Sequence, residues 1–239
     1  MFEFLDVPVS GALFLVDRFA GLIDPVTAPV SVALTIVLFT AAIRLLLLPF
    51  SRAAVRGEKA RAKLMPGLKK LQEKHKNDPE KLRAAAVDLQ RESGTSFFAG
   101  CLPTLAQIPF FMVMYRLFAF PTVNGQPNPL LEHTLFGTPL GAHFTSAAGP
   151  VFFGLFALLA VVAWFSSRWQ AKLMAANSDN TGNPVPGGAL LRLLPFGTLL
   201  VAAFVPLAAG LYLLTTTLWT LVERAVLRRE PGVRTPVAG

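Results

Sequence analysis

Few residues in this chain carry chemistry, and the most conspicuous is Arg44, which stands in the apolar run TIVLFTAAIRLLLLPF, six residues before Phe50. At about 1.5 Å of rise per helical residue, the guanidinium lies about 9 Å inside the end of that run. Placing an Arg in an apolar span costs about 2.5 to 3.5 kcal/mol on insertion scales, and such residues face a bundle interior or a wet cavity. The alternative is that the long side chain snorkels to nearby headgroups. The other apolar runs hold no Asp or Glu until Glu223. The sequence therefore predicts an unpaired guanidinium, water around it, and a polar cavity. A carboxylate about 4 Å from it would gain about 4 kcal/mol before desolvation is subtracted, which suits transient capture of an acidic segment. Thr40 lies one turn before Arg44 on the same face, and Gln107 in the next apolar run adds a neutral polar group to the wall. A Thr in a span also commonly bonds its own backbone.

The elements that must position these groups are long apolar runs. The chain has 239 residues, 53% hydrophobic and 15% charged, with the apolar residues in blocks. Crossing a hydrocarbon core of about 30 Å takes about 20 apolar helical residues. Runs at 29–50, 96–118 and 148–166 qualify. The last run, from Ala189 to Val222, is too long for one upright helix and holds Pro206 near its middle. It reads as two spans, 189–205 and 206–223, meeting at a tight turn. Both are short, so they thin the bilayer or lean on partners. The fold class expected is an all-α polytopic membrane protein with five spans.

Charge sets the orientation. Of 22 Lys and Arg residues, 12 lie between Ser51 and Thr95, and Ala119 to Ala147 contains none. Short basic loops stay in the cytoplasm. That rule puts 51–95 inside, the 119–147 loop outside, and the 167–188 loop, with Arg168 and Lys172, inside. It also puts the 224–239 tail, with Arg224, Arg228, Arg229 and Arg234, inside, so the amino terminus is outside. The opening MFEFLD leads to no cleavage pattern, so the first span is expected to act as an uncleaved targeting signal. Residues 1–28 are expected to form an amphipathic extracytoplasmic segment.

Within 51–95 the pattern predicts two amphipathic helices joined near Asn77 to Pro79. Leu64, Leu68 and Leu71 share one face, as do Leu82, Ala86 and Leu89. Asp78 is placed to cap the second helix, with Pro79 in its first turn and Gly94 at its end. The result is a basic cytoplasmic helical hairpin, with a plain topology signal and anionic-lipid patch as the simpler reading. Cys101 is the single cysteine, and His75, His133 and His143 are scattered, so no metal spacing or nucleophile-base pair stands out. No catalytic residue, cofactor or metal is expected. A small-solute or anion transporter using Arg44 as its site is the alternative, kept open by Pro103, Pro109 and Pro206, although the repeats that transporters often show are missing.

The run GCLPTLAQIPFFMVMY resembles the second span of the YidC, mitochondrial Oxa and chloroplast Alb insertase family through Gly100, Cys101, Leu102, Pro103, Gln107, Ile108, Pro109 and Tyr115. Thr40, Arg44 and Pro49 fit the family's Thr, Arg and Pro, and Pro206, Tyr212, Thr215 and Trp219 fit its Pro, Tyr, Thr and Trp. Leu213, Thr217 and Glu223 depart from the pattern. The resemblance implies five helices around a hydrophilic groove open to the cytoplasm and to lipid, with Arg44, Thr40, Gln107, Tyr212, Thr215 and Trp219 at the groove. Pro49, Gly100, Pro103, Pro109 and Pro206 would shape the spans. It further implies a compact insertase and chaperone of the bacterial inner membrane. Its partners would be nascent membrane-protein clients and the bilayer, with the Sec translocon and ribosome as further candidates. It would use no nucleotide and act as a monomer.

Overall fold

The computed structural model describes residues 6–27, 30–93, 108–123, 125–179 and 188–229. Its helices are α1 (Asp6–Thr27), α2 (Ser31–Leu46), α3 (Leu48–Lys74), α4 (Pro79–Ser93), α5 (Ile108–Ala119), α6 (Pro150–Asp179), α7 (Gly188–Leu193), α8 (Gly197–Phe204) and α9 (Leu207–Arg229). The described residues fall into two compact units. One draws on 6–46, 108–172 and 188–221, the other on 47–93, 173–179 and 222–229.

The first unit is built on apolar helix faces. Val9, Ala12, Val16 and Ala20 recur at helical spacing along α1 and are buried as it packs on α2 and α5. Ile36 and Phe39 of α2, Met114, Leu117 and Phe118 of α5, Phe152 and Leu159 of α6, and Leu207 and Ala208 of α9 complete the core. Gly210 lets α9 approach α6 closely, since a Cβ there would stand 2.6 Å from Leu155 Cδ2.

Between α5 and α6 the chain is more than a connecting loop. β1 (Thr122–Val123) pairs with β2 (Gln126–Pro127), and β3 (Thr134–Leu135) pairs with β4 (Thr138–Pro139), both antiparallel. Asn128 is buried beneath them. Its amide donates to the carbonyls of Leu117 at 2.8 Å and Phe120 at 3.1 Å, and its side-chain oxygen accepts from Leu130 N–H at 3.2 Å. The segment also caps α9: Leu207 N–H donates to Ala142 and Ala208 N–H to Leu140, each at 2.9 Å. First-turn amides of a helix have no partner within it, so these two bonds satisfy donors that would otherwise need water.

The second unit contains the helical hairpin. α3 and α4 join across 75–78, where Asp78 accepts from Lys81 N–H at 3.1 Å and pairs with the Lys81 ammonium at 2.9 Å. Leu64 is buried, and Leu68, Leu71, Leu82, Ala86 and Leu89 are half-buried, so both apolar stripes face inward. Gly67 sits against Leu89, with room for a Cβ only 3.2 Å from it. Within the same unit, Lys59 Nζ donates to the Leu227 carbonyl at 3.1 Å and Glu58 lies 3.8 Å from Arg224.

Several helix limits differ from the sequence reading. The first apolar run is helical only to Leu46, and a new helix starts at Leu48. Pro49 has no N–H for the carbonyl of Leu45 and its ring crowds that carbonyl, which ends the ladder one turn before Phe50. The 189–205 run is not one helix: it breaks into α7, a 3-10 turn at Leu194–Phe196 and α8, because Pro195 interrupts it. Val205 is extended, with φ −96° and ψ 158°, just before Pro206, and α9 runs on to Arg229. Among the described residues, one helix segment, Pro150–Lys172, is by itself long and apolar enough to cross a membrane; Phe110–Ala119 and Leu194–Phe204 are shorter apolar helices.

Candidate functional site

The residues singled out in the first unit lie on α2 and α9. Thr40 is 3% exposed and its hydroxyl donates to the Ile36 carbonyl at 2.6 Å, so it closes a bond inside its own helix. Arg44, one turn on, is half-buried. The expectation of an unpaired guanidinium does not hold: Arg44 has an interaction partner in the folded chain. Its charge also acts on the Tyr212 phenol of α9. The carboxylate-free runs suggested isolation because sequence spacing does not show which groups the fold brings to a side chain.

Tyr212 is buried, its ring centroid 6.0 Å from Phe111 and 5.8 Å from Phe118 of α5. It therefore joins a polar tip, near the charge of Arg44, to an aromatic wall, the usual compromise for a buried tyrosine. Phe111 in turn stacks with Tyr115, 6.2 Å between centroids at 8°. The family run quoted above contains Phe111 and ends at Tyr115; Phe118 lies beyond it, and only packing identifies it.

Further along α9, Thr215 is half-buried and donates to the Leu211 carbonyl at 2.8 Å, while Thr217 donates to Leu213 at 2.7 Å. Both are satisfied by their own helix. Trp219 Nε1 is different: it is buried and reaches no hydrogen-bond partner among the described residues, while the buried Thr216 hydroxyl faces that of Tyr212, one turn back. With Tyr212 they form an i, i+4, i+7 stripe on one face of α9. A buried polar atom without a partner costs about 1 to 3 kcal/mol, so the Trp219 end of this stripe has spare capacity for water or a polar acceptor. Thr216 was missed by sequence reading because the family pattern points to its neighbour Thr215. Its place one turn after Tyr212 and three residues before Trp219, on the same face, is the signal that finds it.

Gly100, Pro103 and Gln107 lie outside the described residues, as does Gly94. Pro109 falls in the first turn of α5, where its missing N–H is tolerated. Pro49 and Pro206 stand at helix starts, as described above. Among the described residues no group of three His, Cys, Asp or Glu side chains is placed to hold a metal ion.

The model for the family described as 60Kd inner membrane protein matches residues 23–232. A Streptomyces avermitilis protein named membrane protein insertase YidC is 28% identical, the alignment covering 97% of this chain and 59% of that relative. A protein of the same name from Mycolicibacterium paratuberculosis is 28% identical over 93% of this chain and 74% of its own length. ALBINO3-like protein 1 of Arabidopsis chloroplasts is 26% identical over 90% of this chain and 46% of its own length.

Proposed function

The chain belongs to the 60Kd inner membrane protein family, and from that premise we propose that it is a membrane protein insertase and chaperone, which captures newly made membrane proteins and releases them into lipid. The family match, with bacterial relatives named as insertases, is the observation that carries this reading. The anion-transporter alternative gains no support from these relatives.

The proposed topology has five spans, 29–50, 96–118, 148–166, 189–205 and 206–223, in a bacterial cell membrane. The amino terminus and the 119–147 loop lie outside; the 51–95 hairpin, the 167–188 loop and the 224–239 tail lie in the cytoplasm. The concentration of 12 basic residues in 51–95 supports that orientation. The surface of Pro150–Lys172, where Phe153, Leu158, Val161 and Phe165 are exposed in a way that suits lipid better than water, supports the third span itself.

Mechanistically, the stripe of Tyr212, Thr216 and Trp219 and the charge of Arg44 form one wall of a hydrophilic groove, with Thr40, Gln107 and Thr215 as its neutral part. Buried donors and a cation lower the cost of bringing a polar, acidic flank of a client below the membrane surface. The ordered segment over the start of α9 closes the outer side, so the groove opens inward and sideways to lipid. Affinity there is transient, because most of the Coulomb gain is offset by desolvation. No catalytic step, nucleotide or cofactor enters this scheme. The chain acts as a monomer, with the Sec translocon and the ribosome as partners in delivery.

The test is insertion of a single-span client with a short acidic outer tail into vesicles containing only this protein, scored by protease protection of the tail. Protection should depend on the protein, and Arg44→Ala should reduce it several-fold more for an acidic tail than for a neutral one. Protection no greater than in empty vesicles would refute autonomous insertion. Equal losses for both tails would assign Arg44 a purely structural role.

A further inference from the structure

We propose that residues 158–172 of α6 form a binding face for a phospholipid with an anionic headgroup. This rests on the reading above that 148–166 spans the bilayer, which leaves Arg168 and Lys172 at its cytoplasmic end. Three side chains carry it: Trp164, Arg168 and Lys172, one turn apart on one exposed stripe. The Arg168 guanidinium lies 4.8 Å from the centroid of the Trp164 ring, which holds the cation in place against an aromatic face. Trp164 itself is buttressed edge-on by Phe165 at 4.9 Å.

Leu158, Val161 and Phe165 precede the two cations, and each has about half its surface exposed. From Leu158 to Arg168 is about 15 Å along a helix, half of a hydrocarbon core of about 30 Å. The stripe thus matches one leaflet of lipid: apolar side chains along an acyl chain, an amphipathic indole at the interface, and two cations at the phosphate. Charge complementarity fixes the sign of the headgroup. No Asp or Glu occurs from Pro150 to Ser178, so Arg168 and Lys172 have no acid within one turn on their own helix. A topology signal needs charge alone; a guanidinium held on an exposed indole is a placed group.

The experiment is native mass spectrometry of the full chain after reconstitution in vesicles of equimolar phosphatidylglycerol and phosphatidylcholine, reading the ratio of the two lipids that stay bound. Phosphatidylglycerol should be enriched over the bulk ratio. Arg168→Gln and Lys172→Gln should each lower the ratio about fivefold, the equivalent of about 1 kcal/mol per basic residue at an anionic membrane surface. Arg83→Gln on the hairpin should leave it unchanged. An unchanged ratio in both α6 variants, or an equal loss in Arg83→Gln, would overturn the proposal. Displacement of bound phosphatidylglycerol by inorganic phosphate would assign the cations to a free anion instead. Extraction of the wild-type chain by carbonate from phosphatidylcholine vesicles would refute the span itself, whereas firm embedding with no lipid preference would sink only the headgroup site.

Discussion

Asp6, in the first turn of α1, accepts a hydrogen bond from the Arg116 guanidinium near the end of α5, at 2.8 Å and with both side chains largely covered. Arg116 also sits 5.7 Å from the Phe120 ring. The pair fastens α1 to α5 and neutralises the basic residue next to the Lys- and Arg-free 119–147 segment. Arg116→Gln or Asp6→Asn should each lower stability by about 1 to 2 kcal/mol, as loss of a charge-assisted bond does. Thermal unfolding in detergent, arranged as a double-mutant cycle, measures the coupling. Strictly additive losses would show that the contact contributes nothing.

At Gly210, α9 lies close against Leu155 of α6. Gly210→Val should overpack the contact with Leu155 and destabilise by about 1 to 3 kcal/mol. Combining Gly210→Ala with Leu155→Ala should cost less than the sum of the two single changes, since each makes room for the other. A sum or worse would mean that Leu155 swings away unaided.

The amides of Leu207 and Ala208 should exchange with deuterium slowly for first-turn positions, because Ala142 and Leu140 accept from them. Fast exchange at both would mean that the outer segment lifts off α9 on its own.

Asp78 titrates below its ordinary value because the Lys81 ammonium and backbone amide hydrogen-bond its carboxylate. A depressed folded-state pKa adds stability that is fully present above the unfolded value of about 3.9 and is lost as pH falls through the lower folded value. The carboxyl carbon shift of Asp78 should therefore have its midpoint below that of an unfolded Asp, and Lys81→Met should move it upward. A midpoint unaffected by Lys81→Met would contradict the assignment.

Local features were the ones legible in the sequence. Asp78 with Pro79 announced a helix start, the leucine spacing of 64, 68 and 71 announced a buried stripe, and Pro206 announced a turn, because each depends on residues within one or two turns. Thr40 is more instructive: its polarity suggested a wall residue, yet its hydroxyl is consumed by Ile36, four positions back. What the sequence hid is long-range. Asn128 reads as an ordinary loop residue until its amide is seen to hold the end of α5. Gly210 reads as one more small residue until Leu155 stands against it. Of the candidate site, Arg44 and Tyr212 were legible by type and pattern, but the aromatic wall of Phe111 and Phe118 around Tyr212 was not, because it depends on how α5 and α9 meet. Thr216 was hidden because one residue of offset on a helix rotates a side chain by about 100°.

The Lys59 ammonium on the Leu227 carbonyl ties the hairpin's base to the final turns of the last helix. A cation at the carbonyl end of a helix also favours its dipole, so the contact stabilises the turn that it grips. Mechanically, this makes a linkage: a tug on the carboxyl-terminal tail is transmitted to the hairpin stem before the end of α9 unwinds, and whatever holds the hairpin shares the load.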